Sequence, residues 1–282
     1  MSNGSEMRAI RIGAVAYDPK VVTIWEGFKT HFAKHGLQTD FVLYSNYDAQ
    51  VEANLRGAID IAWNSPLAWV KSQLMTGGRC RALAMRDSDR DLTTQIIVRK
   101  DSPLATLSEL KGRVVAVGAS DSPQATLIPL NLIADGGVIP GKDCDVLYHN
   151  VMVGKHGDHV GGERDAARAL AAGDADAACV LDTNYLVFIN EGTLDPGTTR
   201  LLESTPPFDH CNFTTPSGVP DEPLRRFVNV LLEMSIEDPD VRTFMELEGV
   251  KQWQPARTSG YSQLEKAVKR FGFYELAANA TS

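Results

Sequence analysis

Much that would point to a ready function is missing from these 282 residues. The four cysteines, Cys80, Cys144, Cys179 and Cys211, stand far apart and form no C-x-x-C pair, which removes zinc knuckles and dithiol redox motifs. What remains is reduced thiols acting as small core residues, Cys179 inside AACVL being the clearest. Positive charge is also short. Lys and Arg number 28 against 36 Asp and Glu, a net charge of −8, and no basic stripe occurs. Nucleic acid and anionic membrane are therefore not expected as partners. No apolar run approaches the roughly 18 residues of a membrane-spanning helix. The opening MSNGSEMRAIRIGAVAY carries no basic n-region, apolar h-region or cleavage site. As written, the expectation is a cytoplasmic protein, or a periplasmic one if a leader has been removed upstream.

What is present is an ordinary globular composition, 43% apolar and 23% charged, with length for two lobes of about 100–150 residues each. Short apolar runs alternate with amphipathic helices. RAIRIGAVA (8–16) reads as a strand and KVVTIWEGFKTHFAKH (20–35) as a helix, with Val21, Ile24, Trp25, Phe28 and Phe32 on one face. Further strands are expected at 41–45, 58–63, 95–99, 114–118 and 177–181, and a helix at 49–57. From Glu222 onward the pattern is helical. This alternation indicates an α/β protein with parallel sheets covered on both faces.

Ligands of open α/β sheets sit beyond the carboxyl ends of the strands. Three loops meet that description. One carries Tyr17 and Asp18, the second is Trp63-Asn64-Ser65, and the third runs from Ser120 to Gln124 in VGASDSPQATL. The third raises a question. Small residues before a helix opened by Pro123 offer backbone N–H groups to an anion, yet Asp121 sits among them. Either Asp121 points away and caps that helix, or the ligand is not a free dianion.

The segments AIDIAWNSPLAWVK, IIVRKDSPLATLSELKGRVVAVG, SDSPQATLIPL and ERDAARALAAGDADAACVLDTN, in this order, resemble the phosphonate-binding proteins of ABC transporters over roughly residues 8–236. The resemblance implies a type 2 periplasmic-binding fold, two α/β lobes flanking a ligand cleft. Lobe one would span 1–95, lobe two 96–205, and residues 206–282 would return to lobe one with the C-terminal helices. It further implies a ligand set of Tyr17, Tyr47, Trp63, Asn64, Ser65, Ser120, Ser122, Gln124, Asp182 and His210. A family tyrosine falls near Leu92 or Thr93 and a family histidine near Glu163 or Arg164, so the anion contacts are thinned unless Arg164 faces inward.

The Gly-rich stretch NVMVGKHGDHVGG brings His156, Asp158 and His159 near Glu163. They could bind a metal, but the spacing matches no established site, and a solvated lid loop is the favoured reading, with no metal expected. No cofactor is expected. The leading expectation is a binder of a small polar or anionic molecule, with a transporter or sensor as partner. The alternative is a cytosolic lyase, a dehydratase or decarboxylase, with Asp121 or Glu163 as general acid/base and Cys211, beside His210, as a candidate nucleophile.

Overall fold

The computed structural model describes residues 8–156 and 160–274. The chain divides into two compact units, one built from the residues up to 90 with 210–259, the other from 91–209 with the residues after 259. It therefore crosses between units three times.

The first unit starts with β1 (Ile10–Val15), α1 (Lys20–Lys34), β2 (Thr39–Tyr44), α2 (Tyr47–Leu55), β3 (Ile61–Asn64), α3 (Pro66–Thr76), β4 (Arg81–Ala82) and β5 (Ala84–Arg86). The second unit follows with β6 (Thr94–Arg99), β7 (Val114–Val117), α4 (Ile128–Asp135), β8 (Asp145–Tyr148), α5 (Val160–Ala172), β9 (Ala177–Leu181), α6 (Asp182–Asn190) and β10 (Thr199–Ser204). The chain returns to the first unit as β11 (Asn212–Thr215), α7 (Asp221–Leu232), α8 (Pro239–Glu248) and β12 (Trp253–Pro255). The last helix, α9 (Ser262–Arg270), belongs to the second unit.

Each unit holds a five-stranded sheet, ordered β2-β1-β3-β11-β4 in the first and β10-β6-β9-β7-β8 in the second. The sheets are mixed, which corrects the all-parallel expectation. β1 runs parallel to β2 and β3, and β7 parallel to β8 and β9. β11 is antiparallel to β3, and β6 to β9. A strand buried on both faces carries the same apolar pattern in either direction, so its sequence does not report its orientation.

The predicted stripe of α1 is buried as its spacing requires, with Phe28 packed 4.8 Å from Phe244 of α8 and 5.8 Å from Trp253, centroid to centroid. Gly27 makes the α1–α8 approach possible, since a Cβ there would stand 2.4 Å from the Phe244 ring. The return boundary differs from the expected one. α9 buries Leu264, Ala267 and Val268 in the second unit, and Arg270 donates to the Asn131 carbonyl (2.8 Å) and to Asp135 (2.6 Å) of α4. No described helix is long and apolar enough to cross a membrane.

Candidate functional site

In the first unit the carboxyl ends of β1 and β3 lead into the predicted loops. Tyr17 is partly buried against the core, with the Lys20 ammonium 5.7 Å from its ring centre. Tyr47 opens α2, whose N-terminus is capped by Asn46. Its ring is buried with Val15, Val51 and Ala68. Ser65 is buried and caps α3, accepting from the Ala68 N–H at 3.1 Å. Trp63, expected in the strand-end loop and in the implied ligand set, is buried in the core. Its ring lies in the core, 4.7 Å from Phe213 and 5.6 Å from Trp253, with the Arg86 guanidinium 5.2 Å from its centre. All four residues of β3 are buried, so strand alternation did not tell which face Trp63 would take.

Asn64 is fully buried at the end of β3. Gln50 of α2 donates through Nε2 to the Trp63 carbonyl and to Asn64 Oδ1, both at 2.8 Å. The carbonyl accepts only, which orients the Gln50 amide, and Gln50 in turn orients Asn64. Asn64 Nδ2 is left with no hydrogen-bond partner among the described residues. An unsatisfied buried donor costs about 1–3 kcal/mol. Across the sheet, Asn212 of β11 stands opposite Asn64 and accepts from the Thr214 hydroxyl at 2.7 Å. Gln50 and Asn212 were not picked out from the sequence. Their amides carry no motif: strand pairing sets Asn212 opposite Asn64, and the packing of α2 on β3 brings Gln50 to it.

In the second unit the stretch after β7 answers the question of Asp121. Ser122, not Asp121, caps the turn that Pro123 opens, accepting from the Ala125 N–H at 3.2 Å. The Asp121 carboxylate instead takes the backbone N–H groups of Gly154 (2.6 Å) and His156 (3.3 Å). Residues 123–127 form a π-helical turn ahead of α4, closed by the Leu127 N–H to the Ser122 carbonyl. Such turns are rare and cluster at functional sites. Ser120 donates its N–H to Asn150 Oδ1 at 2.9 Å, and the Thr94 hydroxyl donates to the Gln124 carbonyl at 2.7 Å.

Glu163 is buried beneath this turn. Its Oε2 accepts from the Leu181 N–H and from Asn184 Nδ2, both at 2.9 Å, and its Oε1 from Gln124 Nε2 at 3.4 Å. Gly162 lets α5 come this close, since a Cβ there would stand 2.7 Å from the His149 carbonyl. Asp182 accepts from the Thr93 hydroxyl at 3.0 Å and from the Thr183 N–H at 2.7 Å. Arg164 does not supply the missing anion contact. It pairs with Glu191 at 2.6 and 3.1 Å, and these bonds, with one from Thr193, bring the Glu191 carboxyl down to about 2. His156 is buried with φ +51°, and its N–H is committed to Asp121. Asp158 and His159 lie outside the described residues.

His210 and Cys211 belong to a separate buried group. His210 Nδ1 is 3.1 Å from Cys211 Sγ and 3.5 Å from Asp89 Oδ1. Arg86 holds Asp89 through Nε (2.6 Å) and Nη2 (2.8 Å), and reaches the Glu248 carbonyl (2.7 Å) and carboxylate (3.3 Å) with Nη1. Burial alone raises the Asp89 carboxyl, but the Arg86 charge and hydrogen bonds outweigh it and hold it well below the usual carboxylate range. All four cysteines are free and buried, and burial pushes the Cys179 thiol far up.

Two mixed α/β units joined in this way define the type 2 periplasmic-binding fold, the class of bilobal solute receptors. The family of periplasmic substrate-binding proteins of phosphonate ABC transporters matches residues 13–261. The chain belongs to that family. It is 24% identical over 251 residues to the phosphate-import protein PhnD of Mycolicibacterium smegmatis, covering 86% of this chain and 71% of that one. The fold is shared with PhnD1 from Prochlorococcus marinus in complex with methylphosphonate (TM-score 0.67, 17% identity, 94% of this chain and 98% of that one). It is shared too with XAC2383 from Xanthomonas citri bound to ATP (TM-score 0.71, 16% identity, 93% and 97%). The protein is thus a solute-binding protein, and nothing in these relationships supports a lyase.

Proposed function

We propose that the solute is a small oxyanion of the phosphate and phosphonate class, delivered to a membrane-embedded ABC importer. The observation that carries the reading is the engagement of Asp121. A carboxylate between Ser120 and Ser122 would repel an oxyanion, but this one faces the Gly154 and His156 N–H groups of a neighbouring turn. Two backbone donors offset its charge locally. The Ser-bearing turn beyond β7 then keeps the character of an anion site. Within the first unit, taken by itself, the buried Asn64 Nδ2 is also a donor without an acceptor.

Titration calorimetry with methylphosphonate, inorganic phosphate and an alkanesulfonate tests this. One of the three is expected to bind one-to-one at micromolar concentration or tighter. Asn64→Asp puts a carboxylate where the donor stood and should weaken that binding by more than about tenfold, the equivalent of about 1.4 kcal/mol. Failure of all three oxyanions to bind the wild-type chain would refute the assignment.

A further inference from the structure

Asp89, His210 and Cys211 are all buried, and a carboxylate oxygen, a ring nitrogen and a thiol sulfur lie within 4.8 Å of one another. It is the one such group of potential metal ligands among the described residues. Neighbouring side chains of a regular strand point to opposite faces. His210 and Cys211 escape that rule because they precede β11 in irregular backbone, which lets Nδ1 and Sγ face each other. Asp89 arrives from the segment that leaves this unit, and His210 is the first residue of the segment that returns.

Two of the three separations are near those of a coordination shell, and the third lies within 4.8 Å. With zinc–sulfur bonds of about 2.3 Å and zinc–nitrogen or zinc–oxygen bonds of about 2.0–2.1 Å, adjacent donors of a tetrahedron stand about 3.3–3.6 Å apart. Here nitrogen and sulfur are 3.1 Å apart, and nitrogen and oxygen 3.5 Å. The support around the donors fits as well. Ligating carboxylates are themselves hydrogen-bonded in metal sites, and Asp89 is oriented by both nitrogens of the Arg86 fork and by the Cys211 N–H at 3.2 Å.

We infer that Asp89, His210 and Cys211 form a site for a borderline-soft divalent cation of the zinc class, for which a mixed thiolate, imidazole and carboxylate set is suited. The ion staples the outgoing and returning segments of the first unit to each other. The inference does not rest on the identity of the solute.

The test uses metal-free full-length protein and cobalt(II) alone as the probe. Thiolate ligation gives a near-ultraviolet charge-transfer band, expected to saturate at one cobalt per chain. The band should vanish in Cys211→Ser, persist in Cys80→Ser, and require at least about tenfold more cobalt in His210→Gln, a loss of about 1.4 kcal/mol or more. Circular dichroism checks that each variant is folded. Absence of the band in the folded wild-type chain at excess cobalt overturns the inference without recourse to any variant. So does a band that survives in Cys211→Ser, or cobalt bound without the band and released by His31→Ala, which would place the ion at His31 and His35 near the end of α1, whose rings lie 4.3 Å apart.

Discussion

At the scale of single residues, three buried carboxylates have different occupations. Asp121 holds a turn through two backbone N–H groups, Glu163 supports the π-helical turn and the start of α6, and Asp89 neutralises Arg86. The last has the largest energetic consequence. Asp89 is 1% exposed, and removing one partner of a buried pair strands the other charge. Asp89→Asn keeps the side-chain shape but leaves Arg86 with Glu248 alone, and should cost roughly 3–5 kcal/mol in urea unfolding. A loss below about 1 kcal/mol would mean that Arg86 finds another partner or water. Of these groups, Asp121 and Glu163 were visible in the sequence as polar residues near a strand-end loop, and Cys211 as the neighbour of His210. Asp89 and Arg86 were not, because they sit far along the chain from His210 and only the fold brings them within reach.

At the scale of elements, the seam between α1 and α8 is closed by Gly27, Phe28 and Phe244 and ends at His31. Burial, with help from the neighbouring charges of His35 and Lys34, lowers the His31 pKa against the opposing pull of Asp238 and Asp240. A base whose folded-state pKa is lowered binds fewer protons folded than unfolded, so stability rises with pH across that range. Acidification through the ordinary imidazole pKa of about 6.5 should therefore destabilise the protein. Unfolding midpoints measured on either side of that pH should fall on the acid side, with a smaller fall in His31→Gln. An equal fall in both proteins would assign the pH dependence to other groups.

At the scale of the whole molecule, a solute receptor gains stability from its ligand. At a concentration of about 100 times Kd the gain is about 2.7 kcal/mol, which for a chain of this size raises the melting temperature by roughly 5–10 °C. The oxyanion that binds in calorimetry should produce that shift, and one that produces no shift at saturation is not its solute.

The sequence by itself determined the alternation of strands and helices, the buried stripe of α1 and the family, because hydrophobic periodicity and local motifs are properties of neighbouring residues. It also located the strand-end loops, since strands and the turns after them are local too. The tertiary structure decided the rest. It turned β6 and β11 antiparallel, a direction their apolar runs do not encode. It sent α9 to the second unit, because an amphipathic helix states that it needs a partner but not which one. It placed Trp63 in the core and left Asn64 with a buried donor. It also joined Asp89 to His210 and Cys211, a contact between residues whose separation along the chain leaves no periodic trace.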